Sequence, residues 1–368
     1  MSTNSNLDAA TGKGQEKYIV YVGTYGEGVY GSRFDTATGT LEPLQLMGKV
    51  KNPSWVTADK NFKHLYAVGE LEGKKEGSVT SFSIDRQSGK LTTLNTVTSG
   101  GIAPCHASVD ASGKTLVVAN YTTGEVSAFP IQHDGSLGER TSLEKATGSS
   151  VNKERQEGPH AHEAVISADN KRVYVPDLGL DQIRVYRLDA SAGKITPDTP
   201  AVVKGEGGLG PRHLAFRPDG KFAYVINELQ PKVSVYSHDA ANGTLHFVES
   251  VATIPADFTA ENSGAEVRVH PSGKFVYTSN RGHDSIQVYA IDKEKGTLQQ
   301  VQVVKTGGQE PRGFALDPTG HYLLVGNQKS DSLSIFKVDG ETGKLTATEQ
   351  KYDVPTPVDV LFVPAAKQ

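Results

Sequence analysis

The chain repeats itself about every fifty residues, and a period of that length leaves few folds open. Taking the glycine of a tight turn, or the asparagine that replaces it, as origin, the unit recurs at Asn61, Gly113, Asn170, Gly220, Gly273 and Gly320. The spacings are 52, 57, 50, 53 and 47 residues. Each origin lies between two short apolar runs, as in the stretch from Leu214 to Asn227 that turns at Pro218-Asp219-Gly220-Lys221. This is the pattern of a β-hairpin closed by an Asp-Gly turn. A third run follows with an aromatic in one column, at Phe82, Phe129, Tyr186, Tyr236, Tyr289 and Phe336. It passes through a D-x-x-x-G-x-L/I turn into a fourth run, as at Asp239 to Leu245 and Asp339 to Leu345.

Four short strands per unit make a propeller blade. Six full units leave two remnants. The N-terminal one has strands two to four without a first, and the C-terminal one, Val358 to Val363, has a first strand alone. Together they predict an all-β, seven-bladed β-propeller of four antiparallel strands per blade, its last blade closed by strands from both chain ends. Such closure removes the open sheet edges that invite aggregation. Ser32 in the aromatic column marks the shared blade as irregular. No stretch of 12 or more residues keeps a 3.6-residue apolar period, so helices are expected to be few. Residues 1–16 are polar and read as a disordered leader, with residues 17–368 as a single propeller domain.

In a propeller the first strand lines the central channel, and antiparallel pairing sets its start beside the end of strand two. Polar residues at these two positions therefore converge on one mouth. Strand-one starts supply Cys105 and His106, His162 and Glu163, Arg212 and His213, Glu266, and Arg312. Strand-two ends supply Tyr121, Glu228, Arg281 and Gln328. The recurring Asn120, Asp177, Asn227, Asn280 and Asn327 read as a structural column that ends strand two by side-chain to backbone bonding. His162, Arg212, Glu228 and Arg281 have no such recurrence, which points to a ligand site rather than a need of the fold. His106, His160, His213, Glu266, Arg312 and Gln328 are further candidates around them.

The formal charge of −4 is scattered, which argues against an extended nucleic-acid or membrane surface and leaves a small molecule as the expected partner. One cysteine, Cys105, excludes an internal disulfide, and the N-terminal residues carry no apolar segment, so a cytoplasmic protein is expected, as a monomer or weak homo-oligomer. Two G-x-G-x-x-G matches, at Gly26 to Gly31 and Gly205 to Gly210, open no helix and so supply no dinucleotide site. There is no G-x-S-x-G elbow. His160 and His162 are spaced to share one side of a strand but lack a clear third and fourth ligand, so neither metal nor cofactor is expected.

These residues also carry a resemblance. Gly210-Pro-Arg-His-Leu-Ala-Phe216, the V-I-N-E ending at Glu228, the S-N-R ending at Arg281, E-P-R-G-F around Arg312 and G-N-Q-K-S around Gln328 resemble the seven-bladed lactonase family, across residues 18–364. That family holds the propeller-type 6-phosphogluconolactonases and the carboxy-cis,cis-muconate cyclases. The resemblance implies hydrolysis of an anionic sugar lactone, 6-phosphogluconolactone of the pentose phosphate pathway. It implies His162, Glu228 and Arg212 as catalytic residues and Arg281 as an anion ligand. Where the family pattern has a Cys-His pair, this chain has Pro159-His160-Ala161-His162, so both histidines stay candidates, and the segment from Thr141 to Gly158 is long and charged. A cycloisomerase acting on a carboxylated muconate and a non-catalytic binding propeller are the alternatives.

Overall fold

The computed structural model describes residues 17–366 apart from 72 and 74, so the leader expected over residues 1–16 lies outside the described residues. Seven antiparallel sheets follow one another round a ring. Blade 1 pairs Pro357–Pro364 with Lys17–Thr24, in register from Tyr18 opposite Pro364 to Thr24 opposite Pro357, so the two ends of the chain close the circle. Its third strand is Gly28–Asp35. The expected single fourth strand is split into Thr40–Leu41 and Gln45–Lys49, both pairing with strand three.

Apart from blade 4 the other blades keep the four-strand repeat, although in blade 2 the turn position expected at Asn61 is taken by Phe62, at φ +53° with its N–H bonded to Asp59 O. Blade 5, for example, runs through Pro211–Phe216, Phe222–Asn227, Lys232–Asp239 and Thr244–Ala252. Blade 4 departs from it. Its first strand is regular only over Val165–Ile166, with one isolated bridge from Ala161 to Asp177.

Alternation along each strand turns one apolar face to the preceding blade and one to the next, so the core consists of seven clusters, one in each inter-blade gap. The aromatic column fills these gaps. In blade 1, where Ser32 replaces the aromatic, Phe34 is fully buried and makes edge contacts with Phe362 and, across the gap, Tyr322. A second column joins the blades by hydrogen bonds. The hydroxyls of Tyr21, Tyr66, Tyr224 and Tyr277 each donate to a glycine carbonyl in the next blade's strand 3–4 turn, at Gly89, Gly135, Gly296 and Gly343. Those turns need glycine: Gly343 sits at φ +71°, with its N–H bonded to Asp339 O while the Asp339 carboxylate caps the N–H groups of Glu341 and Thr342.

The expected asparagine column is also present. Asn120, Asn227, Asn280 and Asn327 each donate to a serine hydroxyl of strand three, and Asp177 accepts from the His160 and Leu180 N–H groups.

Candidate active site

A β-bulge at the start of each channel strand builds the site. Pro211 pairs with Asn227 and His213 with Ile226, so Arg212 is the extra residue. The same shift makes Cys105 extra between Pro104 and His106, Arg312 between Pro311 and Gly313, and Val358 between Pro357 and Asp359. In blade 4 the four steps from Ala161 to Val165 face three from Tyr174 to Asp177, which makes His162 the extra residue. A bulge bends the strand and re-aims its side chain. Here the bulged residues converge: Cys105, His162, Arg212, Arg312 and Val358 line one small void at the channel mouth together with Ser54. The residues that follow them, among them His106, Glu163, His213, Glu266 and Asp359, form a buried layer beneath. The strand-two ends, including Glu70, Tyr121, Glu228 and Arg281, form the layer above.

Glu228 is the hub of this arrangement. Its Oε2 lies 3.0 Å from Arg212 Nε and 3.1 Å from Arg281 Nη2, and its Oε1 is 2.6 Å from Arg155 Nη2. Burial opposes the charged form of Glu228, but the Arg281 and Arg212 guanidiniums, with His162 and Arg155, outweigh it and hold the carboxyl well below its ordinary range.

His162 Nε2 stands 3.8 Å from Glu228 Oε2. That gap is too long for a direct hydrogen bond and short enough for one water to bond both atoms from the cavity side. Burial first, then the charge of Arg212, push the His162 pKa well down, so the imidazole is neutral. Its Nδ1 faces the Cys105 sulfur at 3.8 Å, and burial keeps that cysteine a thiol. An N–H at Nδ1 leaves the Nε2 lone pair turned toward Glu228.

The lower layer fixes the upper one. Arg212 Nη1 donates to Ala265 O at 2.5 Å and reaches His213 Nε2 at 3.2 Å, so His213 carries its proton on Nδ1 and directs it at Glu266, 3.1 Å away. His106 lies 3.5 Å from Glu163 and packs its ring on Trp55. Burial, and then the nearby Glu266, raise Glu163 well above the usual carboxyl range, and burial lifts Asp359 to about 7. The small void, about 10 Å³, admits a single water among Ser54, His162, His213 and Glu266, and the Ser54 hydroxyl there has no hydrogen-bond partner among the described residues.

Above the void is a cavity of about 180 Å³ walled by Glu70, Cys105, Tyr121, Arg155, His162, Glu228, Arg281 and Arg312. It opens into a wider vestibule of about 560 Å³. Of the residues expected from sequence, His162, Glu228, Arg281 and Arg312 therefore share the cavity. Arg212, His213 and Glu266 border the void beneath it.

Three lie elsewhere. His160 stacks on Tyr121 with ring centroids 4.7 Å apart and bonds Tyr121 O and Glu157, so His162 is the histidine that faces the cavity. His106 is covered by Trp55. Gln328 begins a short 3₁₀ turn with its Oε1 buried and unpartnered.

Residues the sequence reading passed over are Glu70 and Tyr25, which share a 3.0 Å hydrogen bond, and Arg155. Glu70 follows the second strand of blade 2 as Glu228 follows that of blade 5, so the column rule finds it.

Fold and site together define a seven-bladed propeller whose channel mouth gathers guanidiniums around a buried carboxylate. The chain belongs to the family described as Lactonase, 7-bladed beta-propeller, which matches residues 19–362, and it is a lactonase-type hydrolase. It is 39% identical over 357 residues to a 6-phosphogluconolactonase of Bacillus subtilis (strain 168), covering 94% of this chain and 99% of that one. A 6-phosphogluconolactonase of Formosa agariphila is 35% identical over 312 residues, covering 81% and 86%. Among solved structures, the periplasmic gluconolactonase of Pseudomonas aeruginosa superposes with a TM-score of 0.90 at 34% identity, over 95% of this chain and all of that one. No helix among the described residues is long and apolar enough to cross a membrane.

Proposed function

We propose that the protein hydrolyses 6-phosphogluconolactone to 6-phosphogluconate in the 180 Å³ cavity at the channel mouth, without a metal. The observation that carries this reading is a neutral imidazole and an ionised carboxylate 3.8 Å apart, inside a wall that also bears three guanidiniums. A water bonded to His162 Nε2 and Glu228 Oε2 attacks the lactone carbonyl carbon and gives its proton to His162. Glu228 stabilises the imidazolium as it forms.

Arg312 suits the oxyanion of the tetrahedral intermediate. Its guanidinium lies over the Tyr25 ring at 5.2 Å and has no hydrogen bond or ion pair among the described residues, so its donors are free for substrate. Collapse of the intermediate breaks the bond to the ring oxygen, which takes the proton back from His162 and leaves the open-chain acid. In this reading Arg212, already spent on Glu228, Ala265 O and His213, orients the carboxylate rather than the substrate.

The names of the Bacillus and Formosa relatives favour the phosphorylated lactone. A phosphorylated substrate, which does not cross membranes unaided, also fits a cytoplasmic enzyme of the pentose phosphate pathway. Proton release from fresh 6-phosphogluconolactone, corrected for spontaneous opening, tests the proposal. Acceleration above background is expected. Background rates together with absorbance loss from a carboxylated muconate overturn the reading in favour of a cycloisomerase.

A further inference from the structure

Around the inner cavity four guanidiniums, Arg155, Arg212, Arg281 and Arg312, face two carboxylates, Glu228 and Glu70, and farther out the vestibule adds Lys329 against Glu261 and Glu310. Arg212 and Arg281 belong to the repeated columns. Arg155 does not: it comes from the crossover between blades 3 and 4, and its side chain is 43% exposed where those of Arg212 and Arg281 are 3% and 11%. It is also one of the few residues, with Arg281 and Glu228, that wall both the inner cavity and the vestibule.

Arg155 uses Nη2 alone, for Glu228 Oε1 and the Tyr121 hydroxyl. Its Nε and Nη1 have no partner among the described residues. Arg281 likewise spends Nη2 on Glu228 and Gly264 O, while its Nε is buried and unpartnered. The two guanidiniums thus straddle the Glu228 carboxylate, and Arg155, the more exposed of them, keeps its Nε and Nη1 free where the cavity continues outward.

The segment that carries Arg155 is built rather than loose. Asp181 is 3% exposed, and its carboxylate accepts from Ser150 Oγ, Gln156 Nε2 and the N–H groups of Gly208 and Gly210. Gln156 is fully buried and bonds back to Asn152 and Ser150, which closes the turn on either side of Arg155. Gly210 immediately precedes the Pro211–Phe216 strand, so the same carboxylate ties Arg155's turn to Arg212's strand. A donor held this way loses little freedom on binding.

We propose that Arg155, with Arg281, forms a phosphate subsite at the outer rim of the cavity, and that Arg155 makes the site select phosphorylated over unphosphorylated sugar lactones. The inference rests on the lactonase reading. The inner cavity, about 180 Å³, is much the smaller of the two connected spaces, the vestibule being about 560 Å³, so a substituent on a lactone ring held inside extends into the vestibule. There a phosphate dianion meets the unspent donors of Arg155, and it offsets the Arg155 and Arg281 charge in a wall that also carries Lys329, Glu261 and Glu310. An unphosphorylated lactone does neither.

The test measures binding of 6-phosphogluconate and of gluconate by calorimetry to the wild type, R155A, R155K and the surface control K145A. The kcat/KM ratio for the phosphorylated over the unphosphorylated lactone is measured alongside. R155A should weaken 6-phosphogluconate binding about 10- to 100-fold, the scale of a lost hydrogen bond to a charged group, and gluconate binding far less. The selectivity ratio should collapse with it. R155K should fall between, and K145A should match the wild type. Equal losses for both ligands, or no loss for either, overturn the subsite. The expected binding pattern with no turnover of either lactone leaves the subsite standing and overturns the hydrolytic reading instead.

Discussion

Replacing Glu228 by glutamine keeps the shape of the side chain and removes its charge, so it separates the two duties the geometry assigns to that residue. The first duty is to neutralise guanidiniums. Arg212 and Arg281 lie 3.0 and 3.1 Å from Oε2 with side chains almost out of solvent, whereas Arg155, 43% exposed, is screened and adds less. Breaking a buried ion pair by removing one partner costs about 3–5 kcal/mol, because the remaining charges stay buried and here also repel one another. Unfolding entropy of about 2.1 cal/mol/K per residue over roughly 350 ordered residues makes that a fall in Tm of about 4–7 °C. The second duty, in the proposed mechanism, is to bond the attacking water and stabilise the His162 imidazolium, a role worth about 10²- to 10⁴-fold in kcat. E228Q should therefore stay folded at 25 °C, melt several degrees early in a thermal-shift scan, and lose at least a hundredfold in turnover of fresh 6-phosphogluconolactone. The acid limb supplies a further check. Because the folded pKa of Glu228 is depressed, its stabilisation is present above the unfolded value near 4.3 and is lost as pH falls through the lower folded value. Below that window E228Q and wild type should converge in stability. A variant that keeps both the wild-type melting curve and the wild-type rate refutes the hub assignment.

The same charges govern three other outcomes. His162 is held neutral, its pKa driven well below 6.5 by burial and by Arg212, so kcat/KM should run level through pH 6.5; an inflection there contradicts a neutral base. Asp359 has its pKa raised from 3.8 to about 7 by burial, so its contribution is present below pH 4 and fades as pH rises through 7, each pKa unit being about 1.4 kcal/mol. D359N, permanently neutral, should gain stability relative to wild type between pH 4.5 and 8 in urea titrations; a difference independent of pH removes the assignment. Arg312 makes no protein hydrogen bond among the described residues, so R312A should cost only the ~0.5–1 kcal/mol of its contact with Tyr25 yet lower kcat about 10²- to 10³-fold. A variant that is unstable but active reverses that assignment.

What could be read from the sequence follows the symmetry of the fold. Turn glycines, the aromatic column and the asparagine column recur because every blade solves the same packing problem, so the ring and its closure by both chain ends were legible. The site was legible as departures from that recurrence: His162, Arg212 and Arg281 break their columns and do meet at Glu228. The bulges were not legible, because an extra residue in one strand shows only when its partner's register is known. Without them His160 and His162 look equivalent. With them His162 is the bulged residue facing Glu228, while His160 is tied down at the backbone by Asp177 and covered by Tyr121. The tyrosine bonds to the neighbouring blade's turn were missed for a related reason, since Tyr277 and Gly343 are 66 residues apart and no local pattern links them.

Arg155 had no column at all, and that is informative about where a propeller can change its substrate. The channel strands and their bulges are bound to the ring: altering Arg212 disturbs Glu228, His213 and the Ala265 carbonyl at once. The crossovers from strand four to the next strand one lie outside the blade ladders and emerge on the same face as the site. The one between blades 3 and 4 delivers Arg155, which bonds Glu228, and the one between blades 5 and 6 delivers Glu261 and Asn262 to the vestibule wall. The proposed mechanism and subsite therefore house chemistry at the carbonyl and recognition of the far end of the substrate in different parts of the repeat. Lactonases on this scaffold should conserve the bulge residues and diversify in these crossovers. Grafting the crossover over residues 145–158 from a relative with a different substrate tests this directly: preference should move by more than turnover falls, since the graft also removes one of the three guanidiniums on Glu228. A graft that abolishes turnover and leaves binding preference intact places recognition in the blades after all.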